Sequence, residues 1–126
     1  MNEISRFAAN ERASRAVVCN GMVFLAGCTA EDRSQDILGQ TAQALAKVDH
    51  WLSVAGTDRS RLLTAQVFLK DIKRDFKGMN EVWDAWTVKG AAPTRATVQA
   101  DMASEETLVE IVVSAALGSV VASSMA

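Results

Sequence analysis

The chain has 126 residues, a net charge of −2 and 49% apolar residues, which fits one domain able to bury a core of its own. Its 13 basic residues are scattered rather than clustered, so no basic groove for nucleic acid is expected. No run approaches the roughly eighteen apolar residues of a membrane span, and Met1 to Arg6 lacks the apolar core of a signal peptide, so the expectation is a soluble cytoplasmic protein.

In chain order, residues 1–13 are mixed and charged, with a short edge strand expected from Ile4 to Ala8. Ala16 to Gly27 carries the clearest local signal, two apolar runs around Asn20-Gly21 that predict a hairpin with a type I′ turn. Both faces of this hairpin are apolar, and each needs a cover: helices of the same chain for one, a second subunit for the other. The turn sets Cys19 opposite Met22 and leaves Cys28 beyond it, so both are expected as reduced thiols in packing roles. With one histidine, His50, and no Cys/His spacing for zinc, no metal site is expected.

Thr29 to Gln35 reads as a loop. A helix follows, capped by Asp36 or Ser34, with Leu38, Ala42, Leu45, Val48, Leu52 and Ala55 at helical spacing and Gly56 as its stop. His50 and Trp51 lie beside that stripe, and an amphipathic helix packed on a sheet accounts for both. Arg61 to Lys70 predicts a strand with Leu63, Ala65, Val67 and Leu69 on one face. Asp71 to Asp75 supplies a turn and cap for a second helix with Phe76, Met79, Val82, Trp83 and Trp86 at core spacing. Asn80 falls off this stripe. Lys89 to Pro93 is a loop leading to two last strands, Ala92 to Ala100 and Leu108 to Val113. The domain is set at residues 1–117, with 118–126 a flexible tail.

This order predicts an α+β two-layer domain, a mixed sheet with two helices on one face. The last two strands each carry an unexplained charge. Arg95 opens a strand whose alternate residues Ala96, Val98 and Ala100 are apolar, and Glu110 interrupts an apolar run. A carboxylate there is costly unless it is exposed, neutralised or paired. Two readings stand: solvent-facing charges, or one polar site on the sheet face opposite the core.

Gly39-Gln40-Thr41, Val54-Ala55-Gly56, Val67 to Ile72, Phe76 to Val82, Pro93 to Val98 and Val109-Glu110-Ile111 occur in an order that resembles the Rid (RidA/YjgF) family of imine deaminases, from about Arg15 to Leu117. The resemblance implies a chorismate-mutase-like homotrimer with sites at the subunit interfaces. It implies hydrolysis of 2-imino acids and their enamine tautomers, of the 2-aminoacrylate type, to 2-oxo acids and ammonia without metal or cofactor. Arg95 matches the carboxylate-binding arginine, Glu110 the strand glutamate that positions water or moves protons, and Asn80 the helix asparagine.

An arginine fork holds a carboxylate by two parallel charge-assisted bonds. A glutamate whose pKa is raised by apolar surroundings can exchange protons near neutral pH. The chain departs from the family pattern in having no tyrosine. It has Ala26 in place of a serine before Gly27, and Thr97 in place of a cysteine. Thr97 can supply a replacement hydroxyl, and Cys28 either lines the pocket or packs in the core. The departures motivate two alternatives: a pathway-specific deaminase of a larger, 2-aminomuconate-like enamine acid, and a non-catalytic protein that binds a carboxylate metabolite. Ribonuclease activity, sometimes attached to this family, is disfavoured by the near-neutral charge and lone histidine.

Overall fold

The computed structural model describes residues 3–118. The flexible tail expected from residue 118 onward therefore lies outside the described residues, apart from Gly118. The elements are β1 (Ile4–Phe7), β2 (Ala16–Cys19), β3 (Met22–Leu25), α1 (Ile37–Ala55), β4 (Leu62–Leu69), α2 (Ile72–Trp86), β5 (Thr94–Gln99) and β6 (Val109–Ala116), with a 3-10 turn at Arg59–Arg61 before β4. They form one six-stranded sheet in the order β1-β2-β3-β6-β4-β5. Only β4 and β5 are parallel, and their link carries α2, as a parallel connection requires an intervening element. Both helices cover one face, α1 over β2, β3 and β6 and α2 over β4.

Local chemistry explains the elements. Asn20 and Gly21 have φ of 54° and 76°, the pair of positive values a type I′ turn demands, and Cys19 stands opposite Met22 as expected. The α1 cap is Asp36, whose side chain accepts from Gly39 N, and Gly56 ends the helix at φ 98°. In α2 the cap is Asp71, accepting from Arg74 N, so the helix begins a turn earlier than Asp71 to Asp75 suggested. Gly78 allows the two helices to approach, because a Cβ there would lie 2.7 Å from Ile37 Cγ2.

The core lies between helices and sheet and includes Val23, Leu45, Val48, Leu52, Val67, Leu69, Met79, Val109 and Ile111. Four expected core positions are corrected. Leu63 is 39% exposed while Leu62 is buried, because a register shift between Leu62 and Thr64 inverts the start of β4. Phe76 is exposed and Asp75 takes the buried slot, where Arg74 holds its carboxylate with both Nε and Nη2. Leu38 and Ala42 face outward, and the buried stripe of α1 starts instead at Gln40 and Thr41.

The reason at α1 is a hydrogen-bond hub. Gln40 Nε2 donates to the carbonyls of Arg33, Gln35 and Glu106, and its Oε1 accepts from Leu108 N. One buried amide thus ties the loop before α1 to the loop before β6. Gln40→Leu is expected to fill the space and strand these buried backbone groups, lowering stability by about 2 kcal/mol. Urea unfolding monitored by circular dichroism measures this.

The uncovered sheet face carries Met22, Phe24, Gln66, Phe68, Ala96, Val98, Val112 and Ala116. Phe24 is 45% and Val98 48% exposed. A concavity of about 480 Å³ on this face is bordered by Phe24, Thr64, Gln66, Ala96, Val112 and Ser114. The doubly apolar hairpin is therefore covered on one side only within a single chain.

Candidate functional site

Strand register decides where the two singular charges point. Arg95 pairs with Ala65 and Thr97 with Val67, and paired residues project to the same face of a sheet. Ala65 and Val67 are buried under the helices, so Arg95 and Thr97 face α2. Glu110 pairs with Phe68 and faces the uncovered side. The expectation of one shared site on the open face is corrected at this point. Within one chain, Arg95 and Glu110 lie on opposite faces, with β4 between their strands.

The parity of β5 accounts for the difference. Its apolar alternates Ala96 and Val98 were expected to turn toward the core, yet they point outward and are exposed. The polar alternates point inward beneath α2. A one-residue choice of parity exchanges every side chain between faces.

The Arg95 group is built by β5 and α2. Met79 and Trp83, one helical turn apart, lie under the guanidinium, with Nη1 3.9 Å from Met79 Sδ and Cζ 5.2 Å from the Trp83 ring centroid. Burial pulls the Arg95 pKa below its ordinary value, and Asp84 opposes that shift. Among the described residues, no carboxylate lies within ion-pairing distance of Arg95. The Thr97 hydroxyl, two residues along the same face, is buried without a hydrogen-bond partner. Asn80 follows Met79 on α2 and is half-buried. This group has the chemistry to receive an anion: a guanidinium with no ion-pair partner among the described residues and, two residues along the strand, an unused hydroxyl.

The Glu110 group is built by β6 and the end of the hairpin. Gly27 leaves room for the carboxylate, since a Cβ there would overlap Glu110 Oε2. Among the described residues, Glu110 has no ion-pair partner. Ala26 N donates to Arg15 O. Arg15, which the sequence did not single out, donates from Nη2 to Gly27 O at 3.2 Å and lies 5.7 Å from the Trp51 ring centroid. No spacing rule connects residue 15 to residue 27; only the hairpin pairing brings them together.

Cys28 belongs to the core rather than to this surface. It is 1% exposed, bridges Ile111 and has its pKa raised by burial, with Arg15 and Lys47 opposing. A buried thiol held protonated is a poor nucleophile. A thiol reagent is expected to modify Cys28 only on unfolding, as peptide mass mapping would show. Because the folded state favours the thiol form, the Cys28 contribution to stability is intact below its unfolded pKa and declines as pH rises past it.

The comparisons with known proteins agree with this architecture. The sequence profile described as Endoribonuclease L-PSP matches residues 3–117. The RutC family protein YoaB of Escherichia coli is 41% identical over 114 residues, covering 90% of this chain and 98% of the relative. A RutC family protein of Haemophilus ducreyi is 38% identical over 114 residues, covering 90% and 97%. The crystal structure of a YjgF protein family member from Neisseria meningitidis superimposes with a TM-score of 0.88 at 40% identity, covering 91% of this chain and 95% of that one. The helix-covered sheet, its strand order and the span of these matches together establish that the chain belongs to the Endoribonuclease L-PSP family, also called YjgF/RidA.

Proposed function

We propose that the protein hydrolyses 2-imino acids and their enamine tautomers, of the 2-aminoacrylate type, to 2-oxo acids and ammonia. The observation that carries the reading is Arg95, a half-buried guanidinium without a carboxylate partner among the described residues, two residues along β5 from the Thr97 hydroxyl that is likewise unpartnered among them. An α-carboxylate suits such a guanidinium, which can hold it by parallel charge-assisted bonds. Asn80 lies on the same helix as the Arg95 platform and is assigned to substrate binding, as is the Ala26-Gly27 backbone beside Glu110.

In this reading the protein is a homotrimer, and each site combines the Arg95 group of one subunit with the Glu110 group of the next. Opposite placement within one chain and an uncovered apolar sheet face both favour such an assembly. Water attacks the C=N carbon while Glu110 takes its proton and passes it to the imine nitrogen, giving a carbinolamine and restoring the carboxylate. Glu110 then mediates proton transfer from the hydroxyl to the amine. The C–N bond breaks, C=O forms, and ammonia leaves. The sum is imine plus water to oxo acid plus ammonia, with no electron transfer. Fixing the carboxylate places the reacting carbon, so orientation supplies much of the rate. The reading places the protein in the cytoplasm, where pyridoxal-phosphate enzymes release such imines. No helix among the described residues is long and apolar enough to cross a membrane.

The test is oxo-acid formation from freshly generated 2-aminoacrylate, with unaided hydrolysis subtracted. Acceleration by the protein supports the reading. Preference for a 2-aminomuconate-like dicarboxylate would move it to a pathway-specific deaminase. Ligand-dependent thermal stabilisation without turnover would make the protein a carboxylate-binding module.

A further inference from the structure

Arg95 does not stand alone on Trp83. The Trp83 and Trp86 rings lie 5.5 Å apart at 46°, and the Arg59 guanidinium sits 5.1 Å from the Trp86 centroid. Trp86 is fixed at both ends of its residue: its Nε1 donates to Asp49 Oδ2 at 3.0 Å, and its carbonyl accepts from Arg59 Nη1 at 2.9 Å. Arg59 Nε closes the arrangement at 3.3 Å from Asp49 Oδ1. The result is a continuous stack of cation, ring, ring and cation that runs from α1 and the 3-10 turn to β5.

We propose that Trp83, braced through Trp86 by the Asp49–Arg59 pair, is a positioning residue that holds the Arg95 guanidinium in the orientation that receives the substrate carboxylate. The inference rests on the reading of Arg95 as the carboxylate anchor. A ring engages the face of a guanidinium, whereas a carboxylate engages its edge, so the two contacts are compatible. An arginine side chain has many rotamers, and freezing them before binding lowers the entropic cost of association. Trp83 is buried, so its ring is a fixed platform for the guanidinium, whose Nη1 also meets Met79 Sδ. Among the described residues, Arg95 has no ion pair of its own to perform this task.

The test measures KM and kcat for imino acids generated in situ by an amino-acid oxidase, and the Kd of pyruvate, a 2-oxo acid product, by calorimetry. Trp83→Leu is expected to raise both KM and pyruvate Kd about tenfold with kcat within about threefold, and Trp83→Phe to restore most of the loss. Asp49→Ala, at a partly exposed position, is expected to raise both constants about twofold to threefold by loosening Trp86. A purely structural role would lower kcat through loss of folded protein and leave KM and Kd unchanged, which overturns the inference.

If Trp83→Leu does not fold, Asp49→Ala decides, and unchanged constants overturn the inference again. Pyruvate binding that depends on Arg95, without turnover, overturns the deaminase reading while the Kd series still tests the stack. Absence of both turnover and pyruvate binding in the wild type overturns the two together.

Discussion

Arg95→Ala is expected to reduce kcat/KM for 2-imino acids about a thousandfold, about 4 kcal/mol of transition-state stabilisation. In the proposed mechanism the guanidinium holds the substrate carboxylate by two parallel bonds, and its loss frees the substrate to rotate relative to the attacking water. The fold should survive. Arg95 lies on an edge strand, and its contacts with Met79 and Trp83 are worth about 1 kcal/mol at a partly exposed site. An unchanged circular dichroism spectrum and elution volume, with activity gone, is the expected pattern. Arg95→Lys should recover little, because an ammonium lacks the planar fork. Full activity in Arg95→Ala would remove the anchor from the mechanism.

Much of this architecture is legible in the sequence because it is written locally. Asn20-Gly21 prescribes its turn, Asp36 its cap and Gly56 its stop, each through backbone geometry within a few residues. The two helices and their order along the sheet follow from apolar spacing. The features that escape are those set by tertiary pairing. Leu63 reads as inward by alternation, but the register shift beside it turns Leu62 inward instead. Gln40 lies outside the apolar stripe that spacing marks on α1, yet its four hydrogen bonds make it a buried hub.

The candidate site shows the same division. Arg95, Thr97 and Glu110 are conspicuous as polar residues in apolar strands, and that signal is sequence-borne. Which face each occupies is not. In β5 the apolar alternates lie on the uncovered side, so hydrophobicity alone assigns the wrong parity. An apolar outer face is sensible only if a second chain covers it. In the proposed assembly, the parity of β5 is the feature that turns a single-chain site into an intersubunit one.

The second large effect concerns Glu110, where activity and stability are expected to move in opposite directions. Glu110→Gln keeps the shape of the side chain and removes its ability to take a proton, so kcat should fall by about 10²- to 10³-fold. The same substitution removes a half-buried carboxylate that has no ion-pair partner among the described residues. Stability should therefore hold or rise by up to about 1 kcal/mol, measured as the urea midpoint at constant slope.

Gly27→Ala supplies the complementary perturbation. Its Cβ would overlap the Glu110 carboxylate, so the side chain must swing aside, and kcat should fall although every polar group remains. Together the two variants separate the chemistry of the carboxylate from its position. A group retained at a cost to folding and lost only at a cost to rate is held there for what it does. If Glu110→Gln leaves kcat unchanged, proton transfer must be assigned to solvent, and the glycine is then needed only to accommodate a strand charge.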